Sequence, residues 1–319
     1  MTSTRSEPAA GERVPMRPVD YGLQLGRGFA MGAADIVPGV SGGTVALVVG
    51  IYDRLIANVR TGARGLKQVL TGDGSGFVAT LRRIEWAWLV SLLVGIVLAI
   101  GLLSSVLERL LDDEAIAMSG LFLGLVVGTI LVAWNMLDRD DPSGRRIDVA
   151  IMVAIGATMF LLLGLRSDTE VADGAEEVVT RPFWVFFLAG AIAICAMILP
   201  GISGSFILVM LGMYTEVLGA VNDRDLVVLL AFVAGCVVGL AAFSTLLNHL
   251  LEQYRSHVIA AMIGLMLGST RVLWPWPNGV HTTTLSAPAD DVVLPIALAL
   301  VGAAVVVVVE RISTHRPPA

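Results

Sequence analysis

The chain has 319 residues, 56% apolar and 15% charged, with a formal net charge of −6 and a mean hydropathy of +0.82. A soluble domain of this length is nearer a quarter charged, so these values exclude a soluble globular protein, speak against a nucleic-acid partner and indicate a polytopic membrane protein. The charges also fall in clusters, leaving apolar runs near the roughly 20 residues that span a bilayer.

Residues 1–20 form a polar tail without a hydrophobic core, so membrane insertion is expected to rely on internal spans. The first apolar element, 21–59, is interrupted at PGVSGG. Three spans follow, at 86–107, 115–137 and 147–165, and then an acid-rich loop at 166–182 carrying Asp168, Glu170, Asp173, Glu176 and Glu177. The second half, 183–311, opens with another interrupted element, 183–221, broken at PGISGS. Spans at 226–247, 258–274 and 292–309 and a short tail at 312–319 complete the chain.

The halves are an internal repeat. A shift of 162 lays 34–59 over 196–221, with identities at Pro38/Pro200, Gly39/Gly201, Ser41/Ser203, Gly42/Gly204, Gly50/Gly212 and Tyr52/Tyr214. A shift of 140 lays FLGLVVGT (122–129) over MIGLMLGS (262–269). Chance similarity between apolar segments would match Leu, Val and Ala, whereas these matches are Pro, Gly, Ser and Tyr. The shift falls because the first half has a longer polar connection, from about Arg60 to Glu85.

Loop charge sets the expected orientation. The 53–85 connection carries Arg54, Arg60, Arg64, Lys67, Arg82 and Arg83, and the 138–146 loop carries Arg139, Arg145 and Arg146. The 275–291 loop has no Lys or Arg. The basic loops and both termini are therefore placed in the cytoplasm and 166–182 outside. This requires each broken element to enter and leave on one side. The stretch of about 15 residues before each break reaches roughly 22 Å, short of the ~30 Å core, which favours a re-entrant hairpin over two full spans. The expected fold is all-α, with two inverted repeats, each a re-entrant broken-helix hairpin followed by three transmembrane helices.

The breaks have the composition of an anion site. Pro38 and Pro200 stop the incoming helix; Gly39 and Gly201 permit a tight turn; Ser41 and Ser203 suit the N-cap of the helix that follows. Gly42, Gly43 and Gly204 leave backbone N–H groups open to close approach, with Thr44 and Ser205 beside them. Irregular backbone at membrane depth is tolerated where it lines a cavity, and paired breaks in inverted halves mark a transporter's binding site. A helix N-terminus there suits phosphate or carboxylate. Asp35 and Arg27 add intramembrane charge: Arg27 as a partner for phosphate, Asp35 as a proton carrier or a partner for Arg27. Met197 replaces Asp35 in the second half. Arg271, beside Trp274 and Trp276, is an interfacial anchor or a secondary headgroup contact.

No metal or cofactor is expected: Cys195 and Cys236 sit in apolar runs, and the four histidines show no ligand spacing. The spans hold no nucleophile with acid and base partners, which disfavours a membrane enzyme such as a lipid phosphatase. A transporter or channel for a small soluble anion uses the same half-helix physics and remains the alternative to lipid transport.

RGFAMGAADIVPGVSGGTVALVVGIYDRL (27–55) and ILPGISGSFILVMLGMY (198–214) resemble the PopT-type polyprenyl-phosphate translocase family. The resemblance runs from Tyr21 to Arg311, and it matches Arg27, Asp35, Pro38, Gly39, Ser41, Gly42, Gly43 and Thr44 to the family's first motif and Pro200, Gly201, Ser203 and Gly204 to its second. It implies an inner-membrane flippase that returns undecaprenyl or decaprenyl phosphate from the outer to the inner leaflet for peptidoglycan and other envelope polymers. A proton or sodium gradient is the candidate driving force.

Overall fold

The computed structural model describes residues 18–36, 41–137, 142–165, 181–201, 204, 207–208, 211–289 and 292–314. Helix α1 (Pro18–Asp35) starts on a proline, whose missing N–H is no loss at that position, with Asp20 in its first turn. It ends three residues before Pro38. Helix α2 (Gly42–Val48) is two turns long, and the chain leaves it through Gly50 at φ +70°. Helices α3 (Tyr52–Leu70) and α4 (Gly74–Arg83) follow, the latter capped by Asp73, whose Oδ1 accepts from Gly76 N–H at 2.8 Å.

The remaining helices are α5 (Trp86–Asp113), α6 (Ala115–Asn135), α7 (Pro142–Gly164), α8 (Phe183–Ile198), α9 (Tyr214–Asn222), α10 (Leu226–Gln253), α11 (Arg255–Ser269) and α12 (Val293–Thr314). Five of them, α5, α6, α7, α10 and α12, are long and apolar enough to cross a membrane. The connection read as a polar loop from Arg60 to Glu85 is helical for most of its length. Its apolar residues are spread at helical spacing among charged ones, so no apolar run announces it.

Four helix pairs, each running parallel, organise the molecule. Helix α1 lies on α5, with Gly28 facing Leu92 and Gly32 facing Ile96. Helix α8 lies on α10, with Phe187 facing Gly235 and Ala191 facing Gly239. Helix α6 lies on α12 (Gly120 on Pro295, Gly124 on Ala299), and α7 lies on α11 (Met152 on Gly264, Gly156 on Gly268). At each contact a glycine lets one backbone touch the next, which is how apolar helices gain packing energy in lipid. A methyl group at Gly28, Gly95, Gly124 or Gly235 would collide with a backbone carbonyl oxygen of the facing helix.

Polar ties collect at two opposite ends. At one, Arg255 pairs with Asp53 (2.8 Å), Arg60 with Glu252 (3.0 Å), and His257 Nδ1 lies 2.5 Å from Asp148. At the other, Arg271 Nε donates to Thr283 O (3.0 Å) and Gly279 packs on Ala115 and Ser119. Between them lies a core formed by Phe122 and Val126 of α6, Met262, Ile263 and Met266 of α11, and Leu47 of α2.

Candidate anion site at the paired breaks

The two breaks meet. Ser41, at the N-cap of α2, accepts Thr44 N–H on its Oγ (3.4 Å), the cap expected from the motif. The same Oγ donates to Leu199 O (3.3 Å), 158 residues away. In return Gly201 N–H donates to Thr44 Oγ1 (3.2 Å), and Tyr52 Oη donates to Ile198 O (3.0 Å). Ser41 and Thr44 are 2% and 3% exposed, so this polar junction is sealed inside the apolar core. Gly43 is needed because a Cβ there would lie 2.8 Å from Ile198 O. Gly201 is needed twice over: its φ is +90°, and a Cβ would come within 2.9 Å of the Met266 Cα.

Asp35 does not turn back along α1 towards Arg27. It reaches over the break, and its Oδ1 accepts the Gly42 N–H at 2.6 Å. A carboxylate thus already holds one of the N–H groups expected to be open to a ligand, while its side chain keeps an exposed face. Its repeat counterpart, Met197, holds the matching place: a Cβ on Gly204 would lie 2.5 Å from Met197 Cγ, as one on Gly42 would lie 2.7 Å from Asp35 Oδ2. Asp35 and Met197 thus stand alike towards the matched glycines, and one of the two carries charge.

Arg27 sits about two turns before Asp35, roughly 12 Å along the axis, and its Nη1 donates to Gln24 Oε1 (3.4 Å). Gln24 is 1% exposed, and among the described residues its buried Nε2 has no acceptor. This buried glutamine beside Arg27 was not singled out in the sequence, although a lone amide inside the apolar α1 was the available signal. Pro38, Gly39, Ser203 and Ser205 lie outside the described residues. Arg271 lies just past the end of α11, five residues after the Met266 that packs on Gly201, with its guanidinium over the Phe160 ring (4.9 Å). It lines a cavity of about 330 Å³ with Thr270, Trp274 and Ser286. Among the described residues no group of three His, Cys, Asp or Glu side chains is placed to hold a metal.

The model of the VCA0040-like, undecaprenyl phosphate translocase-like family matches residues 31–289. The chain belongs to that family. A Vibrio cholerae protein named "Polyprenyl-phosphate transporter" is 38% identical over 250 residues, 78% of this chain and 76% of its own length. A Staphylococcus aureus protein of the same name is 30% identical over 260 residues, covering 79% and 86%. No solved structure matches the chain. Relatives in this family are thus named as transporters and not as enzymes. The family match spans both breaks, Asp35 and Arg271, and it begins after Arg27.

Proposed function

We propose that this protein is a flippase for polyprenyl phosphate that returns undecaprenyl or decaprenyl phosphate from the outer to the inner leaflet for reuse in envelope synthesis. The observation that carries the reading is the direct hydrogen bonding of the two breaks through Ser41, Thr44, Leu199 and Gly201. It occurs in a chain whose relatives are named polyprenyl-phosphate transporters. A phosphomonoester supplies the charge and acceptor oxygens to take the place of Asp35 on the Gly42 N–H beside this junction, and the isoprenoid tail stays in lipid.

The helix pairs support two inverted repeats with re-entrant hairpins. Exchanging the halves turns the α1–α5 pair into α8–α10 and the α6–α12 pair into α11–α7. Since α1 runs parallel to α5, the chain between them returns to the side it left, and the same holds between α8 and α10. Helix α11 runs with α7, which follows α6 across a short loop. It therefore runs against α6, its own counterpart, as inversion requires. Basic loops at the Asp53–Arg255 end make that end cytoplasmic under the positive-inside rule.

Asp35 supplies a means of exchange. While its carboxylate accepts the Gly42 N–H, it occupies the position a phosphate oxygen would take. Protonation releases it, admits the phosphate and offsets one charge during crossing; deprotonation returns it and expels the phosphate. A proton gradient is then the natural driving force.

The test is leaflet exchange in liposomes holding purified protein and a fluorescent polyprenyl phosphate, with inorganic phosphate flux followed in the same vesicles. Lipid exchange without phosphate flux is the expected result. Phosphate flux without lipid exchange would make the protein a small-anion channel and overturn the flippase.

A further inference from the structure

The seam between α7 and α11 differs from its repeat twin between α6 and α12. At the twin seam, methyl groups on Gly120 and Gly124 would collide outright with Pro295 O and Ala299 O. At the α7–α11 seam the approach is looser at its middle, where a Cβ on Gly156 would sit 3.1 Å from Gly264 O, and closes again at Gly264 and Gly268, where one would lie 2.6 Å from Met152 O and 2.9 Å from Gly156 O. The looser pair carries four methionines, Met152, Met159, Met262 and Met266, against Met118 alone in the twin, and methionine repacks readily.

Cavities mark the looser seam from end to end. The mid-seam furrow of about 410 Å³ is apolar, lined by Met152, Val153, Gly156, Ala157, Leu161 and Leu267. Through Phe160 it shares its wall with the Arg271 cavity. One turn before Met152, Asp148 opens the third, of about 520 Å³, with Arg145, Tyr254, Arg255 and His257.

The ends of the seam are ionic. Among the described residues, the Nη groups of Arg271 and the guanidinium of Arg145 find no acceptor. Asp148 is 3% exposed and takes hydrogen bonds from Ser256 Oγ and His257 at 2.5 Å, which fixes the imidazole in the cavity wall. In the twin, the positions of Ser256, His257 and Arg271 are Ile116, Ala117 and Leu131. Finally, α11 is the wall between this seam and the breaks, since Gly201 rests on Met266.

We propose that the α7–α11 seam is the lateral gate of the transporter. A lipid with a phosphomonoester head docks that head at Arg271 at one end of the seam and at the Arg145–His257 basin at the other. Its isoprenoid tail runs in the furrow between them and stays in the bilayer while the head visits the breaks. The choice of occupant follows from the positive charge at both ends of an apolar furrow, and the proposal rests on the lipid-phosphate reading above.

The test uses a polyprenyl phosphate carrying a diazirine in its isoprenoid chain, photolysed in liposomes with the wild-type protein, with adducts mapped by mass spectrometry. Adducts are expected on 152–161 of α7 and on Leu267. In the transport assay Ala157→Phe, which fills the furrow from an exposed position, is expected to fall at least tenfold. Thr158→Phe, exposed on the same helix outside the furrow, is expected to stay within twofold of wild type. Wild-type transport with adducts only on other helices, or equal rates in the two variants, overturns the gate and leaves the flippase standing. Absence of wild-type transport overturns both.

Discussion

At the residue scale, the junction of the breaks depends on a few polar atoms in an apolar interior, where an unmet donor is costly. Thr44→Val keeps shape and volume but leaves the Gly201 N–H without its acceptor. A buried unsatisfied group costs about 1–3 kcal/mol, so the variant should unfold at a lower temperature in detergent and transport more slowly, while Thr44→Ser stays near wild type. Unchanged thermal unfolding in Thr44→Val would show that the hydrogen bond does not hold the breaks together. The motif made Ser41 legible as a cap, because Ser before a glycine-rich helix start has one obvious partner. It did not reveal where Asp35 points. That depends on the path of the chain over the break, and the sequence left Asp35 as a proton carrier or a partner for Arg27.

At the element scale, five of the six full spans read from hydropathy are helices long and apolar enough to cross a membrane, whereas the one expected at 258–274 is the 15-residue α11, which ends at Ser269. The amphipathic α3 and α4 were not legible: their apolar residues recur at helical spacing without forming a run, and their packing against each other is tertiary information. The role of the seam glycines was equally hidden, because a glycine in contact with a facing helix and one exposed to lipid look alike in the sequence. Gly124→Ala places a methyl group into Ala299 O and should destabilise the protein by about 1–3 kcal/mol, the usual cost of overpacking. Gly26→Ala, on the exposed face of α1 with nothing within 4 Å, should be neutral or gain up to about 1 kcal/mol from helix propensity. Thermal unfolding of the two variants checks the contrast, and equal melting would remove the close-packed seam from the account.

At the scale of the whole molecule, the pairing of α1 with α5, α8 with α10, α6 with α12 and α7 with α11 makes one definite topology. With Cys195 and Cys236 replaced by alanine, a cysteine at Arg64 should react with a membrane-impermeant maleimide only from the cytoplasmic face. One at Asn278 should react only from the outside. Labelling of both from one face would break the orientation assigned to the repeats.

In the proposed cycle the paired breaks carry a lipid phosphate across the bilayer by exchange with Asp35. The most direct measurement is leaflet equilibration of polyprenyl phosphate in liposomes, comparing wild type with Asp35→Asn after both are shown to be folded by thermal unfolding. Equilibration by the wild type and at least a tenfold slower rate for Asp35→Asn are expected. Equal rates would contradict the cycle, because an uncharged amide at that position can neither be protonated nor displace a phosphate.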